Sequence, residues 1–311
     1  MNAPAGSVFL AQADTGDGVL LSGGHRRAVR IAAWSWDGRQ LATASDEALA
    51  AIWDAESRQL QKKLELPSTP LALAWSRDGT RLAIGSSDRQ VRVWDAREGK
   101  LQDGGARLPS GLGTNYSDYP HLTWSADDKL LAAALDDGSV VLVSWPNGEI
   151  AKPVMKFAGT LDSVAWSPDG TKLLGSGSDG TVGIWSRETS QAEYLDPRVV
   201  GQDTVHACWL PDGQRLLLGS HSSTVKQAFD LSTGRRLASL IPAVSGDKWL
   251  VVSPDGHYRG SPQIDEHIVY MALTEDGRQE TYTPAAFAAR FGWKNDPEKA
   301  YLFSPPAPVA K

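Results

Sequence analysis

The sequence predicts an all-β fold built from repeated four-stranded antiparallel units, and three observations carry that prediction. A segment of about forty residues recurs along the chain, each copy reads as strands separated by tight turns, and a tryptophan returns at one position of the copies.

The copies align at VRIAAWSWDGRQLATAS (Val29–Ser45), LALAWSRDGTRLAIGS (Leu71–Ser86), SVAWSPDGTKLLGSG (Ser163–Gly177) and HACWLPDGQRLLLGS (His206–Ser220). Trp34, Trp75, Trp124, Trp166 and Trp209 share one position, at spacings of 41, 49, 42 and 43 residues, and Val252 in WLVVSPDG continues the series 43 residues on. The apolar run up to each tryptophan is a buried or half-buried strand, and the S-x-D-G behind it supplies the Asp and Gly of a tight hairpin. A second run (LATAS, LAIGS, LLGSG) meets another turn at Asp46-Glu47, Ser87-Asp88 or Asp179-Gly180. A third ends in Trp53-Asp54, Trp94-Asp95 or Trp185-Ser186, and a more polar fourth, such as Gln59 to Leu66, suits an outer edge strand with one face in water.

These residues carry a family resemblance. Gly24-His25 before the first strand and Trp53-Asp54 after the third resemble the G-H and W-D signatures of WD40 repeats, over nearly the whole chain. Departures are visible: only the first repeat keeps the G-H pair, and the turn Asp becomes Glu47 there and Ser223 in the fifth repeat. The resemblance implies a WD40-type β-propeller in which an internal cluster of Asp, His, Ser and Trp hydrogen bonds is incomplete in most blades, so that stability rests on blade-to-blade packing at the Trp34-type positions.

A ring of blades must hide its first and last edges. SVFLAQAD and TGDGVLLSGGH match a third and a fourth strand with no first or second before them, and ARFGWKNDPEKAYLFS (Ala289–Ser304) aligns without gaps to LALAWSRDGTRLAIGS, pairing Trp293 with Trp75. The expectation is one domain over residues 1–311: strands in 1–24 that close the last blade, six repeats in 25–283, a seventh blade completed by 284–304, and a disordered tail at 305–311. The alternative is six blades followed by short helices, because Thr283-Pro284 and Asp296-Pro297 are both helix starts, with an N-cap and a proline at the first helical position. The stretch from Trp249 through AARF also resembles a block that closes the WD40 region of bacterial proteins bearing caspase-like peptidase domains, although no peptidase domain accompanies it in this sequence.

Composition narrows the function. A formal charge of −6 leaves no general basic footprint for nucleic acid or anionic lipid. The single cysteine, Cys208, cannot form an intrachain disulfide, and no segment approaches the apolar length needed to span a membrane, so a cytoplasmic protein is expected. The six histidines show no paired metal-ligand spacing, and no Gly-rich phosphate loop leads into a helix; no catalytic residue, metal or cofactor is expected. His206 and Cys208 share a strand face, but Cys208 takes the place of Ala33, Ala74 and Ala165, which predicts a small buried position rather than a nucleophile.

The resemblance implies docking on the face that carries the turns between second and third strands. Its longest loop runs from Asp103 to Pro120, with Tyr116 and Tyr119 bracketing Asp118 as interface anchors. Arg26, Arg27, Arg89 and His221 are expected on the same face, with Asp136 and Asp137 supplying opposite charge; Trp36 lies in a turn at the opposite end. The expected role is a non-enzymatic scaffold or regulatory subunit of a bacterial complex, with a separately encoded caspase-like peptidase as one candidate partner and neither nucleic acid nor membrane. The alternative is a propeller enzyme or small-ligand binder using the central channel, where His121 and His206 are the polar exceptions among Ala, Val, Leu and Trp.

Overall fold

The computed structural model describes residues 6–11, 18–102, 106–112, 121–195, 204–220, 224–242, 248–273 and 279–300. The chain divides into two compact units, Met1–Leu195 and Asp196–Lys311.

The first unit opens with an antiparallel hairpin, β1 (Val8–Ala11) and β2 (Gly18–Leu21). Four four-stranded antiparallel sheets follow in sequence order. The first holds β3 (Val29–Trp34), β4 (Gln40–Ser45), β5 (Leu49–Asp54) and β6 (Leu60–Glu65). The second holds β7 (Pro70–Trp75), β8 (Arg81–Ser86), β9 (Val91–Asp95) and β10 (Lys100–Gln102). The third holds β11 (Leu122–Trp124), β12 (Leu130–Ala134), β13 (Ser139–Ser144) and β14 (Met155–Lys156). The fourth holds β15 (Leu161–Trp166), β16 (Lys172–Gly177), β17 (Val182–Ser186) and β18 (Gln191–Tyr194). Each sheet is a meander, as short polar turns between apolar runs dictate.

Burial explains the composition of each strand. The second strands β4, β8 and β16 are buried along nearly their whole length, so both faces are apolar or small (LATAS, LAIGS, LLGSG). The outer β6 exposes most of its residues and reads LQKKLE. Consecutive sheets pack face to face through three clusters. Ala42, Ala44 and Ile52 meet Leu73, Trp75 and Ile84; Ala74 and Val93 meet Leu122, Trp124 and Val141; Ala132, Val140 and Leu142 meet Val164, Trp166 and Leu173.

The recurring tryptophan does two jobs here. Trp75, Trp124 and Trp166 are buried, each edge-on to a later tryptophan of its own sheet: Trp75 to Trp94, Trp124 to Trp145 and Trp166 to Trp185, at 5.9 to 6.1 Å between ring centres. The Trp75 indole N–H donates to the carbonyl of Ala33 at 3.1 Å, and that of Trp124 to the carbonyl of Ala74 at 3.0 Å, so one sheet is bonded to the one before it. Trp34 departs from the series: it is 48% exposed, which corrects its assignment to the buried packing positions. The hairpin β1–β2 packs against Leu41, Ala51, Trp53 and Leu60, that is, against β4, β5 and β6.

The second unit departs from the repeat. Its main sheet has six strands in the order β19 (Thr204–Trp209), β20 (Arg215–Ser220), β21 (Lys226–Asp230), β22 (Arg235–Ile241), β23 (Leu250–Val252) and β24 (Tyr258–Gly260). The strands around Val252 therefore do not begin a separate sixth sheet: β23 pairs with β22 through Ser239↔Val252 and Ile241↔Leu250. A separate hairpin, β25 (Tyr270–Leu273) and β26 (Gln279–Tyr282), follows.

Residues 284–299 correct the strand alignment of the C-terminal segment and take the helical alternative. Helix α1 (Pro284–Phe291) starts at Thr283, whose hydroxyl accepts from the Ala286 N–H, and stops at Gly292 with a left-handed φ of 67°. A 3-10 turn at Pro297–Lys299 starts at Asp296. The physical reason is local: two Thr/Asp-Pro starts fix helical φ values, whereas the alignment with LALAWSRDG rested on spacing. Trp293, paired by that alignment with Trp75, instead stacks on His257 at 5.1 Å, and the Asn295 side chain bonds both the N–H and the C=O of Tyr258.

Candidate functional site

The sheets of the first unit present two kinds of end. At the end carrying the S-x-D-G turns, which read S-A-D-D in the third sheet, each serine is a buried relay. Ser35 Oγ donates to Asp37 at 2.6 Å and accepts from the Gln40 N–H at 2.9 Å; Ser76 with Asp78, Ser125 with Asp127 and Ser167 with Asp169 repeat this, at 2.6 to 2.7 Å to the carboxylate. The serine hydroxyl is the chief cause that holds the Asp37 carboxyl below its ordinary range. For Asp78, Asp127 and Asp169 partial burial pushes the other way, but hydrogen bonds prevail and the direction is again down. These carboxylates stay ionised and are engaged first by their own turns, with Asp127 also bonded to the Arg187 guanidinium at 3.1 Å and Asp78 3.8 Å from that of Arg97. A polar depression of about 600 Å³ is lined by Asp78, Arg81, Asp127, Asp128 and Lys129, and in it Asp128 accepts from the backbone N–H groups of Arg77 and Asp78 in the turn of the neighbouring sheet. Trp36, also at this end, is exposed and covered on one face by the Arg77 guanidinium at 4.1 Å.

The other end carries the expected docking groups. Arg26 and Arg27 lie exposed in the segment entering β3, and the Arg26 N–H donates to Glu47 Oε2 at 3.3 Å, which ties that segment to the β4–β5 turn. Arg89 is exposed in the corresponding β8–β9 turn, with φ of 65°, and its guanidinium donates to the Pro109 carbonyl at 3.3 Å. In the β12–β13 turn, Lys156 Nζ donates to the Asp137 carbonyl at 2.6 Å and lies 3.6 Å from its carboxylate. Tyr116, Asp118, Tyr119 and His221 lie outside the described residues.

The loop beginning at Asp103 is in part not the free segment expected. Ala106, Leu108 and Leu112 are buried, the Val91 N–H donates to the Ala106 carbonyl, and Leu112 bridges to Leu135. Residues 106–112 thus extend the second sheet beyond β10 and seal it against the third. Alternation of Ala106, Leu108 and the later Leu112 within GGARLPSGLG was the available signal, masked by its glycines and prolines.

The buried histidine of the first repeat was legible only as a motif. His25 Nε2 sits 2.9 Å from Thr43 Oγ1, which also accepts from the Trp53 indole N–H at 2.8 Å. Burial is the main cause that lowers the His25 pKa, partly opposed by the Glu47 carboxylate. His121 is lowered by burial as well. Cys208 is exposed, which corrects the expected buried site: β19 does not bury that face as β7 buries Ala74. Partial desolvation around its sulfur still raises its pKa, so it is a thiol at neutral pH. Among the described residues no three His, Cys, Asp or Glu side chains are grouped to hold a metal ion, and no helix is long and apolar enough to cross a membrane.

Comparison with known proteins agrees with this repeat. The family "WD domain, G-beta repeat" matches residues 18–54, 59–95 and 151–186. The chain is 33% identical over 79 residues to the WD repeat-containing protein slr1409 of Synechocystis, which covers 25% of this chain and 22% of that protein. It is 36% identical over 70 residues to the U3 small nucleolar RNA-associated protein 18 homolog of Arabidopsis thaliana, covering 22% of this chain and 13% of that one. It is 31% identical over 108 residues to Actin-interacting protein 1 of Drosophila melanogaster, covering 33% and 17%. The chain thus spans no more than about a fifth of the length of these relatives. Each matched segment begins with the outer strand of one sheet and ends with the third strand of the next, and the chain accordingly carries WD40 repeats in an all-β fold of the WD40-propeller class.

Proposed function

We propose that the chain is a non-enzymatic protein-interaction scaffold or regulatory subunit of a bacterial complex, docking partners on the end of the sheets that carries Arg26, Arg27 and Arg89. The observation that supports this is an asymmetry of charge engagement. The turn carboxylates at the S-x-D-G end accept from their own turn serines, and Asp78 and Asp127 also pair with Arg97 and Arg187, whereas Arg26, Arg27 and Arg89 at the other end are exposed on WD40 repeats. Exposed guanidiniums held by an ordered backbone suit bidentate recognition of partner carboxylates. Tyr116, Asp118, Tyr119 and His221 belong to the same proposed surface through their place in the sequence.

A separately encoded caspase-like peptidase is the partner class suggested by the C-terminal sequence block, and a cytoplasmic location belongs to the same reading. Affinity purification of the tagged chain from its native host tests it. A stoichiometric partner is expected, lost when Arg26, Arg27 and Arg89 are changed together to Glu with the melting temperature unchanged. Retention of the partner by that variant places docking elsewhere, and a partner without peptidase character removes the finer assignment.

A further inference from the structure

The S-x-D-G turns of neighbouring sheets in the first unit meet at three junctions, and each junction is filled differently. The fourth residue of a turn takes a left-handed φ and faces the turn of the sheet before it: Gly79 at 68°, Asp128 at 55° and Gly170 at 70°. Between the fourth and third sheets, a Cβ on Gly170 would lie 2.8 Å from the Ala126 Cβ and 3.2 Å from its nitrogen, so close packing fills the space. Between the third and second sheets, the Asp128 carboxylate accepts from the Arg77 N–H at 2.6 Å and the Asp78 N–H at 3.1 Å. An aspartate in the left-handed region costs more than a glycine, and these two charge-assisted bonds across the junction offset that cost. Between the second and first sheets neither filling is present. A Cβ on Gly79 would meet nothing beyond its chain neighbours nearer than Asp37 Oδ2, at 4.0 Å. Among the described residues nothing accepts from the Trp36 N–H, the counterpart of the Arg77 N–H, and the Asp37 N–H turns to its own carboxylate.

We propose that this open notch binds the side-chain carboxylate of an Asp or Glu from a partner protein, which accepts from the Trp36 N–H as Asp128 accepts from that of Arg77. The second donor is the Arg77 guanidinium, which crosses from the second sheet to lie over the exposed Trp36 ring at 4.1 Å and so stands beside the same turn. Like charge is offset in the same way at both notches. Beside Asp128, the Asp78 carboxylate has the Arg97 guanidinium at 3.8 Å; beside the open notch, the Asp37 carboxylate has that of Arg39 at 3.9 Å, with Arg77 in addition. The site lies at the end of the sheets opposite Arg26, Arg27 and Arg89, and it does not rest on the rim proposed above.

The test uses the full chain labelled with nitrogen-15 and two peptides, acetyl-Ala-Glu-Ala-amide and its Gln counterpart, titrated against the backbone amides by NMR. The Glu peptide is expected to shift the Trp36 amide saturably, with a Kd of about 1 to 10 mM for a single carboxylate, and the Gln peptide to leave it in place. Gly79→Asp supplies the carboxylate from within the chain and is expected to weaken peptide binding at least about tenfold, as is Arg77→Gln through loss of the guanidinium. Gly79→Ala, which has the same φ to adopt without a carboxylate, retains binding. Asp128→Gly opens a second notch, in which the Arg77 amide now responds to the Glu peptide. Changing Arg26, Arg27 and Arg89 together to Glu leaves the Trp36 response unchanged, which separates this site from the rim. The proposal is overturned by a Trp36 amide that does not saturate, by an equal response to the Gln peptide, or by wild-type affinity in Gly79→Asp. Loss of binding in Gly79→Ala as large as in Gly79→Asp assigns the effect to backbone strain and overturns it as well. So does a silent Arg77 amide in Asp128→Gly, which removes the equivalence of the two notches, and so do saturable shifts confined to the amides of Arg26, Arg27 and Arg89.

Discussion

His25 shows how one side chain sets a pH dependence. Its folded pKa lies below the ordinary 6.5 because burial beside Thr43 disfavours the imidazolium, so the unfolded chain binds the proton more readily. Its contribution is present above the unfolded pKa and is lost as pH falls through 6.5 toward the folded value. Urea melts at about pH 7.5 and 5.5 are expected to show lower stability at the acid value, with a smaller difference in His25→Gln; His121, which burial shifts the same way, contributes to the remainder. An equal slope in the variant means that the His25–Thr43 contact does not govern it. The serine relays act in a lower window. Asp37 is held down first by the Ser35 hydroxyl, so its stabilisation is present above 3.8 and is lost as pH falls below that value. Ser35→Ala is expected to raise the Asp37 pKa in a carboxyl NMR titration; an unmoved titration would deny the hydroxyl that role.

At the scale of the element, the tryptophan position is one residue type in several environments. Trp75 and Trp124 are buried and bonded to the preceding sheet, and replacing either by Ala removes packing, a T-shaped pair and a hydrogen bond, a loss of about 3 to 5 kcal/mol in denaturant melts. Trp34→Ala is expected to cost less than Trp75→Ala, because Trp34 is already 48% exposed while Trp75 is buried. Comparable losses at both positions would deny this contrast. Leu112 supplies a second contrast. The surrounding sequence reads as a surface loop, yet Leu112 is fully buried against Leu135, so Leu112→Ala is expected to cost about 2 to 5 kcal/mol in the same melts. A change within about 0.5 kcal/mol would return residues 106–112 to the status of a loose loop.

At the scale of the whole molecule, charge and repeat content constrain partners more than chemistry does. With a formal charge of −6 and the arginines scattered among carboxylates, the chain is expected to show no DNA or RNA binding whose affinity falls steeply with salt. A filter-binding series between low and moderate salt checks this, and a steep slope would reveal a local basic site. The six-stranded sheet of the second unit shows where the repeat ends as an architectural rule: β23 carries the SPDG turn of the repeats but joins its predecessor instead of starting anew.

Strand order within the four-stranded sheets, turn positions and the structural role of S-x-D-G were legible in the sequence, because each follows from local periodicity and turn chemistry acting over a few residues. So were the helix starts at Thr283 and Asp296, though a gapless alignment competed with them. Tertiary structure alone decided that Trp34 is half-exposed while Trp75 is buried, that residues 106–112 seal two sheets, that Cys208 is exposed, and that the strands around Val252 extend an existing sheet. Each of these depends on what lies across a sheet face or beyond a sheet edge, and a repeated sequence writes the same residues whether or not the neighbour is there.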